Sequence, residues 1–217
     1  MALPKKTAEE IIQTFELQVN DVTELSSDEE LKLLNRVYMR LCTCRPWEIL
    51  KTSVSGAILS DTEGYYITKP EDFLFFVENN QTTQNNDTVD NNASPKVVFI
   101  GTQFTPFQIV NYSDRRQYRN GGNYAYIDLG QNKIRLIGTP LELIYEFDYY
   151  KMPALLTITD YPVFPGTFHD MFSYAMASEN DILQLSDKAR AYLKENQAKY
   201  DEDVLNLKYW NANLLNY

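Results

Sequence analysis

Residues 124–150, YAYIDLGQNKIRLIGTPLELIYEFDYY, decide the fold. Strand-forming residues run from Tyr124 to Leu129, stop at Gly130-Gln131-Asn132, resume over Lys133–Ile137, stop at Gly138-Thr139-Pro140, and resume over Leu141–Tyr149. Strand formers interrupted by turn residues predict an antiparallel meander of three strands. In the third, Leu141, Leu143, Tyr145, Phe147 and Tyr149 alternate onto one face, while Glu142, Glu146 and Asp148 share the other with Ile144. With a side-chain period of two, one face is expected in the core and the other wet or at an interface.

Upstream, the period-two segments Ser53–Leu59, Tyr65–Thr68, Phe73–Val77, Lys96–Ile100 and Phe107–Tyr112 extend the β region. The tract NNQTTQNNDTVDNNAS, residues 79–94, has almost nothing apolar to offset the entropy of ordering and is expected to be a flexible loop. Both ends of the chain read as helix. Thr7 and Glu10 have capping-box spacing before a stripe of Ile11, Ile12, Phe15 and Val19; Ser27 and Glu30 repeat it before Leu31, Leu34, Val37, Tyr38 and Leu41. Pro46 suits the first turn of a short third helix carrying Trp47, Ile49 and Leu50. Beyond the proline-marked stretch Tyr161–Gly166, Thr167 is expected to cap a helix bearing Phe168, Met171, Phe172 and Ala175. A long helix from about Ser186 carries Ala189, Leu193, Tyr200, Val204, Leu207 and Leu214. The expected class is α+β: a helical bundle of residues 1–51 and 154–217, with an antiparallel β-sandwich or barrel-like domain, residues 52–153, inserted in it.

Composition narrows the function. Thirty acidic against 20 basic residues give a net charge of −10, which argues against gripping nucleic acid by bulk charge. No apolar run approaches the ~20 residues of a membrane helix, and MALPKKTAEE lacks the apolar core of a secretion signal, so no membrane partner is expected. Cys42 and Cys44 have no second Cys/His pair to complete a zinc site. The single histidine, His169, adjoins Asp170, but neighbouring helical side chains diverge, so a cap or contact role is expected rather than a catalytic one. Phosphate-cradling glycine loops are missing; Gly121-Gly122 reads as an ordinary loop. No catalytic residue, metal or cofactor is therefore assigned. The 16 Tyr, 11 Phe and 2 Trp supply side chains for a core or for interfaces. Arg115, Arg116, Tyr118 and Arg119 form the one basic, aromatic cluster, and with Trp210 they are the candidate interface residues.

The order of motifs then becomes informative: Leu33-Leu34-Asn35-Arg36-Val37-Tyr38, Cys44-Arg45-Pro46-Trp47-Glu48-Ile49-Leu50-Lys51, Lys69-Pro70-Glu71-Asp72-Phe73, Tyr126-Ile127-Asp128, Lys133-Ile134-Arg135-Leu136, Leu143-Ile144-Tyr145-Glu146-Phe147, Tyr149-Tyr150-Lys151-Met152-Pro153-Ala154-Leu155 and Phe164-Pro165-Gly166-Thr167-Phe168-His169. Over roughly residues 10 to 200 this order resembles the head-to-tail adaptor, tail tubular or ring proteins of tailed bacteriophages, particularly short-tailed ones. The resemblance implies a non-enzymatic virion protein forming a ring of about twelve copies. It implies as partners the portal protein, tail or nozzle proteins, further copies of itself, and double-stranded DNA passing non-specifically through the lumen. Glu142, Glu146 and Asp148 are then candidate channel-facing acids, since acid in the lumen repels DNA and lets it slide. Two other readings stay open: another tail ring, such as a tail-tube or terminator protein, and a glycan-binding or hydrolytic tail module that uses paired carboxylates.

Overall fold

The computed structural model describes residues 4–19, 25–77, 96–119, 122–179 and 187–214. The protein is mixed α+β, with four α-helices and one nine-stranded, nearly closed, barrel-like sheet among the described residues. The chain divides into two compact units, Met1–Leu50 with Met152–Tyr217, and Lys51–Lys151. The tract 79–94 lies outside the described residues, as do Gly121 and the side chains of Ala189 and Leu193.

In the first unit, α1 (Ala8–Val19) opens with a reciprocal box: Thr7 N–H donates to Glu10 Oε2 at 2.7 Å, and Glu10 N–H donates to Thr7 Oγ1 at 3.2 Å. Ile11, Ile12, Phe15 and Val19 are all buried, as their spacing predicts. The second helix, α2 (Ser27–Thr43), corrects the expected cap by one residue. Ser26 N–H and its hydroxyl both donate to Glu29 Oε2, at 2.9 and 2.7 Å, while Glu30 is only 3% exposed. Glu30 stands three, four and seven residues before Leu33, Leu34 and Val37, on the buried face, so the exposed pair takes the box. After α2, Trp47 is fully buried and its indole N–H donates to Leu41 O at 2.8 Å; a 3₁₀ turn, Glu48–Leu50, replaces the expected third helix and leaves Ile49 exposed.

A second 3₁₀ turn, Gly166–Phe168, takes the place of a Thr167 cap, and α3 (Asp170–Glu179) starts after it. Met171, Phe172, Ser173, Ala175, Met176 and Ala177 are buried, so α3 is apolar nearly all round and packs against α1, α2 and α4 (Asp187–Leu214). The buried face of α4 is partly polar: Asn196 and Asn211 join Tyr200 and Leu207 there, whereas Leu214 is exposed.

The second unit comprises β1 (Lys51–Ala57), β2 (Leu59–Asp61), β3 (Gly64–Thr68), β4 (Phe73–Phe76), β5 (Val97–Ile100), β6 (Thr105–Val110), β7 (Tyr124–Asp128), β8 (Lys133–Ile137) and β9 (Ile144–Lys151). The order is β1-β9-β5-β6-β7-β8-β3-β2, with β4 also paired to β9. The two strands that end this path, β1 and β2, are separated by Ile58 alone, so the sheet has to roll back on itself. Ile67, Val98, Ala125, Ile134 and Phe147 fill its interior.

Three expectations are corrected here. The hairpin β7–β8 forms with Tyr124 opposite Ile137, but β8 then pairs with β3, and β9 lies between β1 on one side and β5 and β4 on the other. The meander ends after two strands because Gly138, at φ +109°, turns the chain and Pro140 offers no N–H to continue the ladder. Consequently Leu141, 98% exposed, and Leu143 precede β9 and are not core. Finally, β6 and β7 run parallel, so the sheet is mixed rather than wholly antiparallel.

Candidate functional site

The alternation that buries Ala125, Ile134 and Ile67 inside the sheet turns Tyr126, Arg135 and Tyr66 outward, and the register sets these three side by side across β7, β8 and β3. Arg135 is nonetheless only 2% exposed. Its guanidinium donates to Asp61 Oδ1 at 3.0 Å, Asp128 Oδ2 at 3.0 Å and Gln131 Oε1 at 2.6 Å, and pairs with Glu63 at 2.7 Å. Lys133 adds a 2.8 Å bond to Asp61 and stands over the Tyr66 ring. Bonds from Arg135 and Lys133 hold the Asp61 carboxyl well below the usual carboxylate range. This cluster satisfies a buried charge at the tip of two hairpins; it is a brace, with no unpaired nucleophile or base in it.

Residues 112–118, after β6, lie over the same outer face. Tyr112 meets Tyr126 edge-on at 5.7 Å, Tyr118 meets Tyr124 at 4.4 Å, and Arg115 stacks 3.6 Å above the Tyr112 ring while donating to Tyr112 O at 2.5 Å. The predicted basic cluster is thereby split. Arg115 and Tyr118 are tied down on tyrosines, whereas Arg116 and Arg119 are exposed and no carboxylate among the described residues pairs with them. Trp210 belongs to the other unit, half-buried on α4 with its ring 6.2 Å from Phe168.

The three acids are separated too. Glu142 precedes β9 and accepts from Thr102 N–H at 2.9 Å and from its hydroxyl at 3.0 Å, fastening the Gly101–Phe104 turn. Asp148 accepts from Ser53 Oγ at 2.6 Å and lies 3.8 Å from Lys51 Nζ. Glu146 alone stays exposed without a described partner. It borders an open groove of about 480 Å³ at the end of β1, β9 and β5, walled by Gly56, Tyr145, Ile144 and Phe104. Gly56 faces Tyr145 in register, and the tyrosine ring lies where a side chain would otherwise stand. Phe104 is 58% exposed and sits at φ +49°, an unusual conformation for an aromatic residue.

His169 is fully buried: its Nε2–H donates to Phe164 O at 2.8 Å, and Nδ1 accepts from Lys6 N–H at 2.9 Å. Burial lowers its pKa, outweighing the backbone bonds that favour the charged ring. Burial likewise pushes the Cys42 thiol up to about 12. Among the described residues no group of three or more His, Cys, Asp or Glu is placed to hold a metal ion, and no helix is long and apolar enough to cross a membrane. Sequence reasoning missed Arg135, whose signal was a lone cation inside the alternating Ile134–Leu136 run, and Asn35, described below.

Among the described residues, the exposed features are thus Arg116 and Arg119 beside stacked tyrosines, and an open groove bordered by Glu146. The model of the SU10 adaptor protein family matches residues 6–210, and the chain belongs to that family. It is a phage adaptor family, which makes this protein a component of the virion and a structural class of protein. No curated protein matches the sequence.

Proposed function

We propose that this adaptor forms a closed ring of about twelve copies between portal and tail in a short-tailed phage, linking head to tail and continuing the DNA channel. The observation that carries the reading is the span of the family match, which runs from Lys6 through Trp210 and so takes in both compact units. Helices from both ends of the chain act as one bundle that docks on the portal, and the barrel-like unit lines the channel and meets the tail or nozzle proteins. Ring closure requires heterologous contacts, and the Tyr-backed Arg116 and Arg119 supply one half of such a contact. The net charge of −10 per copy gives the ring an acidic character, and DNA slides past repulsive charge without specific contact. Trp210 remains a candidate contact on the helical unit.

Removal of the protein from an otherwise complete particle assembly tests this. Heads filled with DNA but lacking tails, and leaking their genome, are expected; particles that keep their tails contradict the reading.

A further inference from the structure

Arg116 and Arg119 and the Glu146 groove are complementary surfaces on one copy that cannot meet each other. The arginines belong to the chain lying over β7, whereas the groove flanks β9, three strands away in the sheet order. They also sit at different levels along the strands. The groove lies where Ile100 pairs with Thr105, while the arginine-bearing segment leaves β6 after Val110, five residues further along that strand. At about 3.3 Å per residue and about 4.8 Å per strand, the two patches are separated by well over the length of an arginine side chain.

We propose that the Arg116–Arg119 segment of one copy docks into the Glu146 groove of a second copy, giving the head-to-tail contact from which the ring is built. The inference rests on the ring reading above and names its interface. Three observations carry it. Glu146 is an exposed carboxylate with no described partner, at the edge of an apolar groove. Arg116 and Arg119 are exposed guanidiniums with no described partner, while the neighbouring Arg115 and Tyr118 are stacked so that their backbone is held in place. Phe104, which walls the groove, is held in a left-handed backbone conformation by the Gly101–Phe104 turn and by the Phe99 ring edge-on at 6.4 Å, so that an aromatic face 58% exposed is presented at a fixed place. Aromatic residues and arginine are the side chains enriched where protein surfaces meet, and the contact is heterologous because the two patches differ.

Two charge-reversed proteins test the proposal, one E146R and the other R116E/R119E, with self-association followed by sedimentation at rising protein concentration and assembly on portal rings counted by mass photometry. Alone, E146R opposes arginine to arginine and R116E/R119E opposes acid to acid, so each is expected to associate at least tenfold more weakly than the parent chain. Mixed one to one, each groove finds an opposite charge on the other protein, and assembly in alternating order is expected to return. Recovery on mixing also shows that both variants are folded. Either variant assembling like the parent, a mixture that stays unassembled, or a parent chain that associates with itself under neither condition overturns the docking. If all three proteins load the portal fully, the adaptor reading stands and this interface fails. If the pattern of repulsion and rescue appears but the portal is ignored, the interface stands and the position in the particle fails.

Discussion

The Asn35 side chain holds the backbone of Leu156 by both its groups: Leu156 N–H donates to Asn35 Oδ1 at 2.7 Å, and Asn35 Nδ2 donates to Leu156 O at 2.9 Å. A primary amide presents one donor and one acceptor side by side, so Asn35 does for Leu156 what a neighbouring strand would do. The segment it fixes has no regular structure, yet two residues further on it supplies carbonyls to a helix. Ile158 O and Asp160 O accept from Glu9 N–H and Ala8 N–H at 3.0 and 2.8 Å, satisfying donors that the start of α1 leaves free. Asp160 in turn accepts from Thr157 N–H and its hydroxyl, both at 2.7 Å.

Asn35→Ala leaves both polar groups of buried Leu156 unpaired, and is expected to cost about 2–3 kcal/mol. At roughly 2–4 °C per kcal/mol for a chain of this size, the melting temperature should drop by about 4–12 °C. Asn35→Asp, which loses the donor and sets an anion against Leu156 O, is expected to fall at least as far. A thermal melt by circular dichroism checks both; an unchanged melt for either contradicts the clamp.

Arg135→Met removes the cation from among Asp61, Glu63 and Asp128, and should destabilise the barrel-like unit by about 3 kcal/mol at neutral pH. The sign of its pH dependence follows from Asp61. A carboxyl whose folded pKa is depressed contributes stability above its unfolded pKa, about 3.9, and loses it as pH falls through the folded value. The deficit of Arg135→Met is therefore expected to be full at pH 7 and to shrink below about pH 4. Urea titrations at several pH values measure it, and a deficit that stays constant through acid pH would sink the account of the cluster.

His169 works in the same direction at higher pH. Its folded pKa is lowered, so the unfolded chain takes up a proton first, and stability declines as pH drops below about 6.5 until the folded ring also protonates. His169→Gln, which keeps one donor and one acceptor, should flatten the stability curve between pH 7 and the folded pKa. A slope that survives the substitution assigns it to another group.

Much of the local structure was legible because local periodicity encodes it. The stripe Ile11, Ile12, Phe15 and Val19 is buried as spaced, and the Thr7–Glu10 box forms. What a pattern of two cannot encode is the partner. The alternation through Leu141 and Leu143 is as regular as that of Tyr145 and Phe147, but the ladder begins only at Ile144, and β8 takes β3 from far upstream as its neighbour. Sequence placed Glu142, Glu146 and Asp148 in one row; the onset of β9 removes the first, and Ser53 and Lys51 occupy the third. Asn35 and Arg135 were legible only as parts of motifs for a shared reason: the partners that give them their worth, Leu156 and Asp61, lie 121 and 74 positions away in the chain.

Phe104 offers a separation of stability from assembly. Phe104→Gly relieves the left-handed strain but gives up the edge-on contact with Phe99 and adds freedom to the unfolded chain, so the stability of the isolated chain is expected to stay within about 1 kcal/mol of the parent. It also removes an exposed aromatic wall of the Glu146 groove, so self-association should weaken several-fold. Loss of stability together with unchanged association would contradict this assignment.

Mass photometry of the purified protein, alone and mixed with portal rings of the same phage, tests the central claim most directly. The account predicts that each portal ring gains the mass of about twelve copies of the chain, with free protein remaining as smaller species. Portal rings that gain no mass at a several-fold excess of the protein would contradict it.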